Sequence, residues 1–172
     1  MKRKRKRLFF VLILLILVEA GLGIHCNHYS FSGNTLPPHI KTVAVPLFED
    51  KTSEFGVREA LTDAVVDAFT RDNTLKIADP TTADALVRGT IQAISDRVST
   101  YTRQEQVQTY RVTLTVSAEF FDVKKQKALW KATFQEWGEY RHTGSTEERQ
   151  KAIEKAIQKI AEDILNKSVA GW

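Results

Sequence analysis

The chain has 172 residues, with 25 Lys and Arg against 21 Asp and Glu and a formal net charge of +4. Six of those bases, Lys2 to Arg7, and one acid, Glu19, lie in residues 1–25, so the remainder holds nineteen bases and twenty acids and is net −1. The basic excess is thus confined to the N-terminus, which argues against a globular nucleic-acid binder, because that needs a basic folded surface to displace phosphate counterions.

Behind the six positive charges, Leu8 to Val18 is an unbroken apolar run of eleven residues ended by Glu19. As a helix it would cross only about half of a roughly 30 Å hydrocarbon core. A charged n-region (1–7) and a short h-region (8–18) predict an export signal over residues 1–25. An uncleaved anchor reaching Ile24 is the alternative. Cys26, the only cysteine, follows directly. It excludes an intrachain disulfide and a thiolate zinc cluster. Its place after an h-region is that of a bacterial lipoprotein cysteine, whose sulfur takes a diacylglyceryl thioether. Here His25 precedes it and Leu22 stands one position off the usual place, while Gly21 and Gly23 would suit ordinary signal cleavage. Either way the body is expected outside the cytoplasm.

Residues 26–39 form a polar tether with Gly33, Pro37 and Pro38. The domain is expected over 40–172. Ile40 to Phe48 predicts a strand, with Pro46 marking an edge or an end, and Glu49 to Thr52 a turn. Ser53 predicts a helix N-cap. Val57, Leu61, Val65, Ala68 and Phe69 then recur at helical spacing, giving an amphipathic helix of about 17 residues ended by Asp72-Asn73. Leu75 to Ala78 is a short strand and Asp79-Pro80 a turn. Ala85 to Ser95 predicts a longer strand with Val87, Gly89, Ile91 and Ala93 on one face. Asp96 to Gln106 is polar and predicts a hairpin tip. Val107 to Asp122 alternates strictly, Tyr110, Val112, Leu114, Val116, Ala118 and Phe120 against polar neighbours, so one face is buried and one wet. Val123 to Lys127 closes a second hairpin. Ala128 to Tyr140 returns with Trp130, Ala132 and Phe134 on one face. Ser145 to Glu148 is a capping box. It opens a helix with Ile153, Ile157, Ile160 and Ile164 on its apolar face and Gly171 past its end. The expected class is α+β: two helices packed on one face of a mainly antiparallel sheet of about four strands.

Residues for chemistry are sparse. The eight glycines are scattered and form no phosphate loop. Three of the four histidines (His25, His28, His39, His142) crowd the tether, and none are paired at ligand spacing, so neither a metal nor a cofactor is expected. No Gly-x-Ser-x-Gly elbow is present. Asp63 and Asp67, one helical turn apart, are expected to be solvated charges. No enzyme is indicated.

The stretch Cys26-Asn-His-Tyr-Ser-Phe-Ser-Gly33, followed by Leu36-Pro-Pro-His-Ile40-Lys-Thr-Val-Ala-Val-Pro-Leu-Phe-Glu49, resembles the start of the LPS-assembly lipoproteins of the LptE family. The likeness continues through Leu61-Thr-Asp-Ala64, the strand at Leu86 to Ile91 and the C-terminal helix. Departures are His25 before the cysteine and Asn27-His28 where a Gly often precedes the Tyr. The resemblance implies a non-enzymatic lipoprotein on the periplasmic face of the outer membrane, acylated at Cys26. It would plug and help assemble the LptD β-barrel and assist transport of lipopolysaccharide. Its fold would be two helices on a four-stranded sheet. Lipopolysaccharide carries phosphates, which Arg forks and Lys point charges bind. The hairpin tips offer Arg97, Arg103, Lys124, Lys125 and Lys127 as contacts, or else as ordinary solvated charges. The Val43 to Thr52 segment is also similar to the opening strand of CsgG-like and penicillin-binding-protein-activator lipoproteins, which would bind a different envelope partner.

Overall fold

The computed structural model describes residues 36–101, 107–141 and 145–169. Within them lie β1 (Thr42–Ala44), β2 (Glu49–Asp50), α1 (Val57–Asp72), β3 (Lys76–Ile77), β4 (Ala85–Tyr101), β5 (Val107–Asp122), β6 (Lys127–Arg141) and α2 (Thr146–Val169). The expected signal segment, tether residues 26–35 and Gly171 lie outside the described residues.

The class is α+β with two helices, as expected, but the sheet is mixed and has six strands rather than about four mainly antiparallel ones. Its order is β3-β1-β4-β5-β6, with β2 also paired to β4. The long strands β4, β5 and β6 are antiparallel neighbours. The short strands are parallel: β1 to both β3 and β4, and β2 to β4. Helix α1 is the reason for the first of these. It lies between β1 and β3 in the chain, and a helical crossover returns the next strand parallel. The expected strand over Ile40–Phe48 is cut to Thr42–Ala44. Pro46 lacks the N–H a ladder needs, so pairing stops and resumes at Glu49–Asp50, where a turn was expected.

Two further expectations shift. Helix α1 begins at Val57 behind Gly56 (φ 77°) instead of at a Ser53 cap. Side chains hold the preceding loop out of the helix: Thr52 N–H donates to Asp50 Oδ1 (2.7 Å) and Glu54 N–H to Thr52 Oγ1 (3.3 Å). Strand β4 runs on to Tyr101, so much of the expected tip is ladder. A register shift between Ile91 and Ala93 flips the alternation. Ile94, not Ala93, then packs with Val87 and Ile91 on the helix side.

Both helices cover one face. The stripe of α1 is fully buried at Val57, Leu61, Val65 and Phe69, and that of α2 at Ile153, Ile157, Ile160 and Ile164. They meet Val87 and Ile91 of β4, Val112 to Phe120 of β5 and Trp130 of β6. Each such side chain contributes about 1.5–3 kcal/mol on burial. Ser145 Oγ accepts the Glu148 N–H (3.3 Å), which is half of the expected capping box. The Glu148 carboxylate turns to Arg141 instead.

Helix α2 lies close on β6. A Cβ on Gly138 would stand 2.1 Å from the Ala152 carbonyl oxygen, so only glycine fits. Gly138→Ala should therefore destabilise the domain by about 1–3 kcal/mol or more through overpacking. Urea denaturation checks this, and an unchanged midpoint would refute the contact.

One end of the sheet is clamped by two carboxylates. Asp84 Oδ2 accepts the Lys41 N–H (2.9 Å), the Thr42 N–H (3.0 Å) and the Thr42 hydroxyl (2.9 Å). Asp122 is completely buried. Its Oδ2 lies 2.9 Å from His39 Nε2, and its Oδ1 accepts the Lys125 N–H (2.9 Å). Burial alone would raise the Asp122 carboxyl. The Lys125 N–H and His39 outweigh it and hold the group below its ordinary value. A depressed carboxyl stabilises the fold fully above the ordinary range near about 4, and that stability is lost as pH falls through the lowered value. The stability gap between the native chain and Asp122→Asn should thus be widest at neutral pH and close in acid. Urea midpoints over a pH series test this; a constant gap would exclude an ionised Asp122.

Candidate functional site

With both helices on one side, the other face of the β4–β5–β6 sheet is left uncovered by either helix. Strict alternation along β5 puts Arg111, Thr113, Thr115, Ser117 and Glu119 there, each only partly exposed. The register adds Arg88, Thr90, Ser95 and Arg97 from β4, and Lys131, Thr133, Gln135, Trp137 and Glu139 from β6.

Two concavities open on this face. The first, of about 340 Å³, is lined by Ser95, Arg97, Ser99, Arg111, Thr113 and Gln135. Arg97 and Arg111 are direct cross-strand partners. Like charges placed opposite each other are destabilising, so this pair works against the fold. Arg111 is partly relieved. Its guanidinium lies 3.8 Å over the Trp137 ring and donates to Glu139 Oε1 (3.2 Å). The Ser99 hydroxyl donates to the same oxygen (2.7 Å). The Ser99 and Arg111 hydrogen bonds keep Glu139 below its ordinary value. Arg111 Nε is nevertheless buried without a hydrogen-bond partner. Arg97 is exposed and in no ion pair among the described residues. The arrangement offers guanidinium and hydroxyl donors to an anion.

The second concavity, of about 520 Å³, lies farther along the same face, between Leu47, Arg88, Thr90, Ser117, Glu119 and Lys131. Here the charges are satisfied. Glu119 pairs with Lys131 (2.8 Å) and with Arg88, whose guanidinium sits 4.4 Å over Phe121. Burial would raise Glu119, and the two cations overcome it, so the carboxyl is lowered.

Behind the first concavity, Arg149 of α2 joins Glu54 (2.8 Å) and Asp96 (3.0 Å). The Tyr140 hydroxyl donates to Asp96 (2.9 Å). Burial, then this bond, raises the Tyr140 phenol above its ordinary value. These links fix β4, β6 and the start of α2 around the Arg97–Arg111 end.

Of the expected contacts, Arg97 lies in the first concavity. Arg103 and Cys26 lie outside the described residues. Lys124 and Lys125 sit in the β5–β6 turn, and Lys127 opens β6, all three exposed. Eleven positions of β5 separate Arg111 from Asp122 beside that turn, about 35 Å at strand rise. Arg97 and the three lysines therefore do not form one site. Asp63 and Asp67 are exposed, as expected. Arg111 was not singled out in the sequence, because its pairing with Arg97 depends on the β4 bulge. Among the described residues, no group of three or more His, Cys, Asp and Glu could hold a metal.

The fold defines a two-layer α+β domain with a helix-covered face and a long uncovered sheet face. Three solved structures share it. Protein XCC0632 of Xanthomonas campestris aligns at 13% identity and TM-score 0.60, over 80% of this chain and 90% of that one. A minor lipoprotein of Acinetobacter baumannii aligns at 14% identity and TM-score 0.50, over 77% and 93%. An uncharacterised lipoprotein B of Nitrosomonas europaea aligns at 10% identity and TM-score 0.50, over 77% and 85%. No curated protein matches the chain by sequence. The family model described as LptE, Lipopolysaccharide-assembly, matches residues 40–168. The chain belongs to that LptE family.

The Arg97–Arg111 opposition yields a prediction. Arg97→Thr removes the like-charge pair and keeps a good strand former, so it should raise stability by about 0.2–1 kcal/mol. Thermal or urea denaturation measures this. A loss of stability would mean that Arg97 supports the fold.

Proposed function

We propose that the chain is an outer-membrane lipoprotein, exported by residues 1–25 and acylated at Cys26, that acts without catalysis. It plugs and helps assemble an LptD-type β-barrel and assists lipopolysaccharide transport from the periplasmic face. The observation that carries this reading is the family match over residues 40–168. The uncovered polar sheet face supports it: a barrel lumen is itself lined by polar side chains, and a face of Thr, Ser, Gln and paired charges can meet such a wall through hydrogen bonds. On this reading the Arg97–Arg111 concavity receives phosphate or carboxylate groups of lipopolysaccharide. Arg forks suit those anions, and a bound anion would relieve the repulsion between the two guanidiniums. Arg103 belongs with this end in the sequence. Lys124, Lys125 and Lys127, about 35 Å away, stand outside this contact.

Affinity capture from solubilised outer membrane should recover the LptD barrel. Recovery of a pore oligomer or a peptidoglycan synthase instead would favour the CsgG-like or penicillin-binding-protein-activator reading and sink this one. Purified Arg97→Thr should bind lipopolysaccharide several-fold more weakly than the native chain while remaining folded. Equal affinity would remove the concavity from the mechanism. Mass spectrometry of the native N-terminus should find diacylglyceryl on Cys26.

A further inference from the structure

We infer that the end of the sheet where the tether joins is a docking surface for an anionic phospholipid membrane. It would hold the domain upright on the leaflet to which residues 26–39 attach it.

The argument begins with the tether. His39 is bound to Asp122, and Asp122 also holds the Lys125 N–H, so one buried carboxylate joins the end of the tether to the lysine turn. Asp84 does the same for Lys41 and Thr42 at the start of β1, and its carbonyl oxygen accepts the Val123 N–H. The chain entering from Cys26 therefore arrives at the β5–β6 turn, not at the Arg97–Arg111 end. Thirteen positions separate Cys26 from His39, a reach of at most about 45 Å.

This end gathers free positive charge. Lys41, Lys76, Lys124, Lys125 and Lys127 are all exposed, and none forms an ion pair among the described residues. Lys76 stands beside Thr42 in the ladder, and Asn73 and Thr74 at the end of α1 line a concavity with Lys41 and Lys76. Elsewhere Lys131, Lys151 and Lys159 each pair with a carboxylate, while Lys51 and Lys155 are exposed without an ion pair among the described residues and stand apart from one another in the sequence. Four acids share this end, Asp72, Asp79, Asp84 and Asp122; they remain ionised, but their hydrogen bonds hold them back from the lysine ammonium groups. Asp84 and Asp122 cap backbone N–H groups, Asp72 Oδ1 accepts the Thr74 N–H, and Asp79 Oδ1 accepts from Thr81. Asp79 is held below its ordinary value first by the Thr81 hydroxyl.

A diacylglyceryl thioether carries two acyl chains and anchors the chain by itself, so lysines beside it would act on orientation, drawing this end of the domain onto an anionic headgroup layer. Phospholipid phosphates meet a lysine cluster as point charges, without the planar fit an Arg fork would give. The occupant is the headgroup layer of the anchoring leaflet, because the tether delivers this end to it. Docked this way, the long strands stand away from the surface and hold the Arg97–Arg111 concavity about 35 Å above it.

The inference rests on the proposed function only for the anchor at Cys26, and the test supplies that anchor. The full chain is coupled through Cys26 to a maleimide lipid, in vesicles of pure phosphatidylcholine or of equal parts phosphatidylcholine and phosphatidylglycerol. Lysine acetylation is then mapped by mass spectrometry. On the phosphatidylglycerol vesicles, acetylation of Lys41, Lys124, Lys125 and Lys127 should slow several-fold relative to Lys151, and raised salt should restore it. In the triple variant Lys124→Glu, Lys125→Glu, Lys127→Glu, Lys41 should lose its protection while circular dichroism stays native. Equal acetylation on both vesicles would overturn the inference. So would equal protection by lipopolysaccharide in detergent without vesicles, which would assign the lysines to the transported lipid. Failure to capture an LptD barrel would leave this result untouched.

Discussion

At Gly138 the β6 backbone runs so close under α2 that the helix carbonyl at Ala152 occupies the space a side chain would need. This approach sets the rest of the architecture. Ala152, Ala156 and Ala161 let α2 lie flat, and the isoleucines beside them reach past β6 to the apolar row of β5. Helix α1 packs against α2 on the same side. Both apolar stripes are consumed on one face, and the two helices have nothing left with which to cover the other. The uncovered sheet face is therefore a consequence of how tightly the covered one is packed. It can stay uncovered because its strands alternate, and what they turn outward is mainly Thr, Ser, Gln and paired charge.

Much of this was legible in the sequence, and the reason is periodicity. The β5 alternation from Tyr110 to Phe120 and the spacing of Ile153, Ile157, Ile160 and Ile164 each specify an element and its buried side. Those residues are where the sequence placed them. The parts not legible are those that periodicity does not encode. Strands of two or three residues, such as β2 and β3, are too short to show a pattern, so their pairing and the parallel half of the sheet were invisible. The β4 bulge moves Ala93 to the far face with no change in composition. Ser53 looks like a cap, but Asp50 and Thr52 organise the loop beyond it. The candidate site shared this limit. Arg97 was identifiable as a tip charge. Arg111, its partner, was one polar residue in an alternating strand, and only the register across the hairpin joins them.

The electrostatics explain how a nearly neutral domain presents positive charge. Many of its acids have local partners, although Asp63, Asp67, Glu154 and Glu162 are exposed. Asp84 and Asp122 cap backbone groups at the tether end, and Glu119 and Glu139 brace cations on the open face. Glu54 and Asp96 hold Arg149 at the start of α2. A carboxylate paired with a guanidinium has its charge offset locally, whereas one that caps a backbone N–H keeps its charge and only fixes its position. Arg97 and the tether-end lysines form no ion pair among the described residues, so their charge is open to solvent. Whole-chain charge gave no sign of this, because it counts the acid in an ion pair and the free lysine with equal weight.

These free charges sit at opposite ends of one continuous hairpin, and that separation constrains function. Strand β5 spans the whole distance, paired on both sides along nearly all its length, so the two ends cannot approach each other without breaking the ladder. A single ligand headgroup cannot touch both. One end carries two guanidiniums, hydroxyls and an unpartnered Arg111 Nε close together, an arrangement whose donors converge. The other end carries five separate lysines, on the β5–β6 turn, at the start of β6, before β1 and on β3, whose donors do not converge. A sheet with converging guanidiniums at one end and dispersed lysines at the other therefore has two chemically distinct ends. The chain enters the domain at the lysine end, where His39 is held by Asp122.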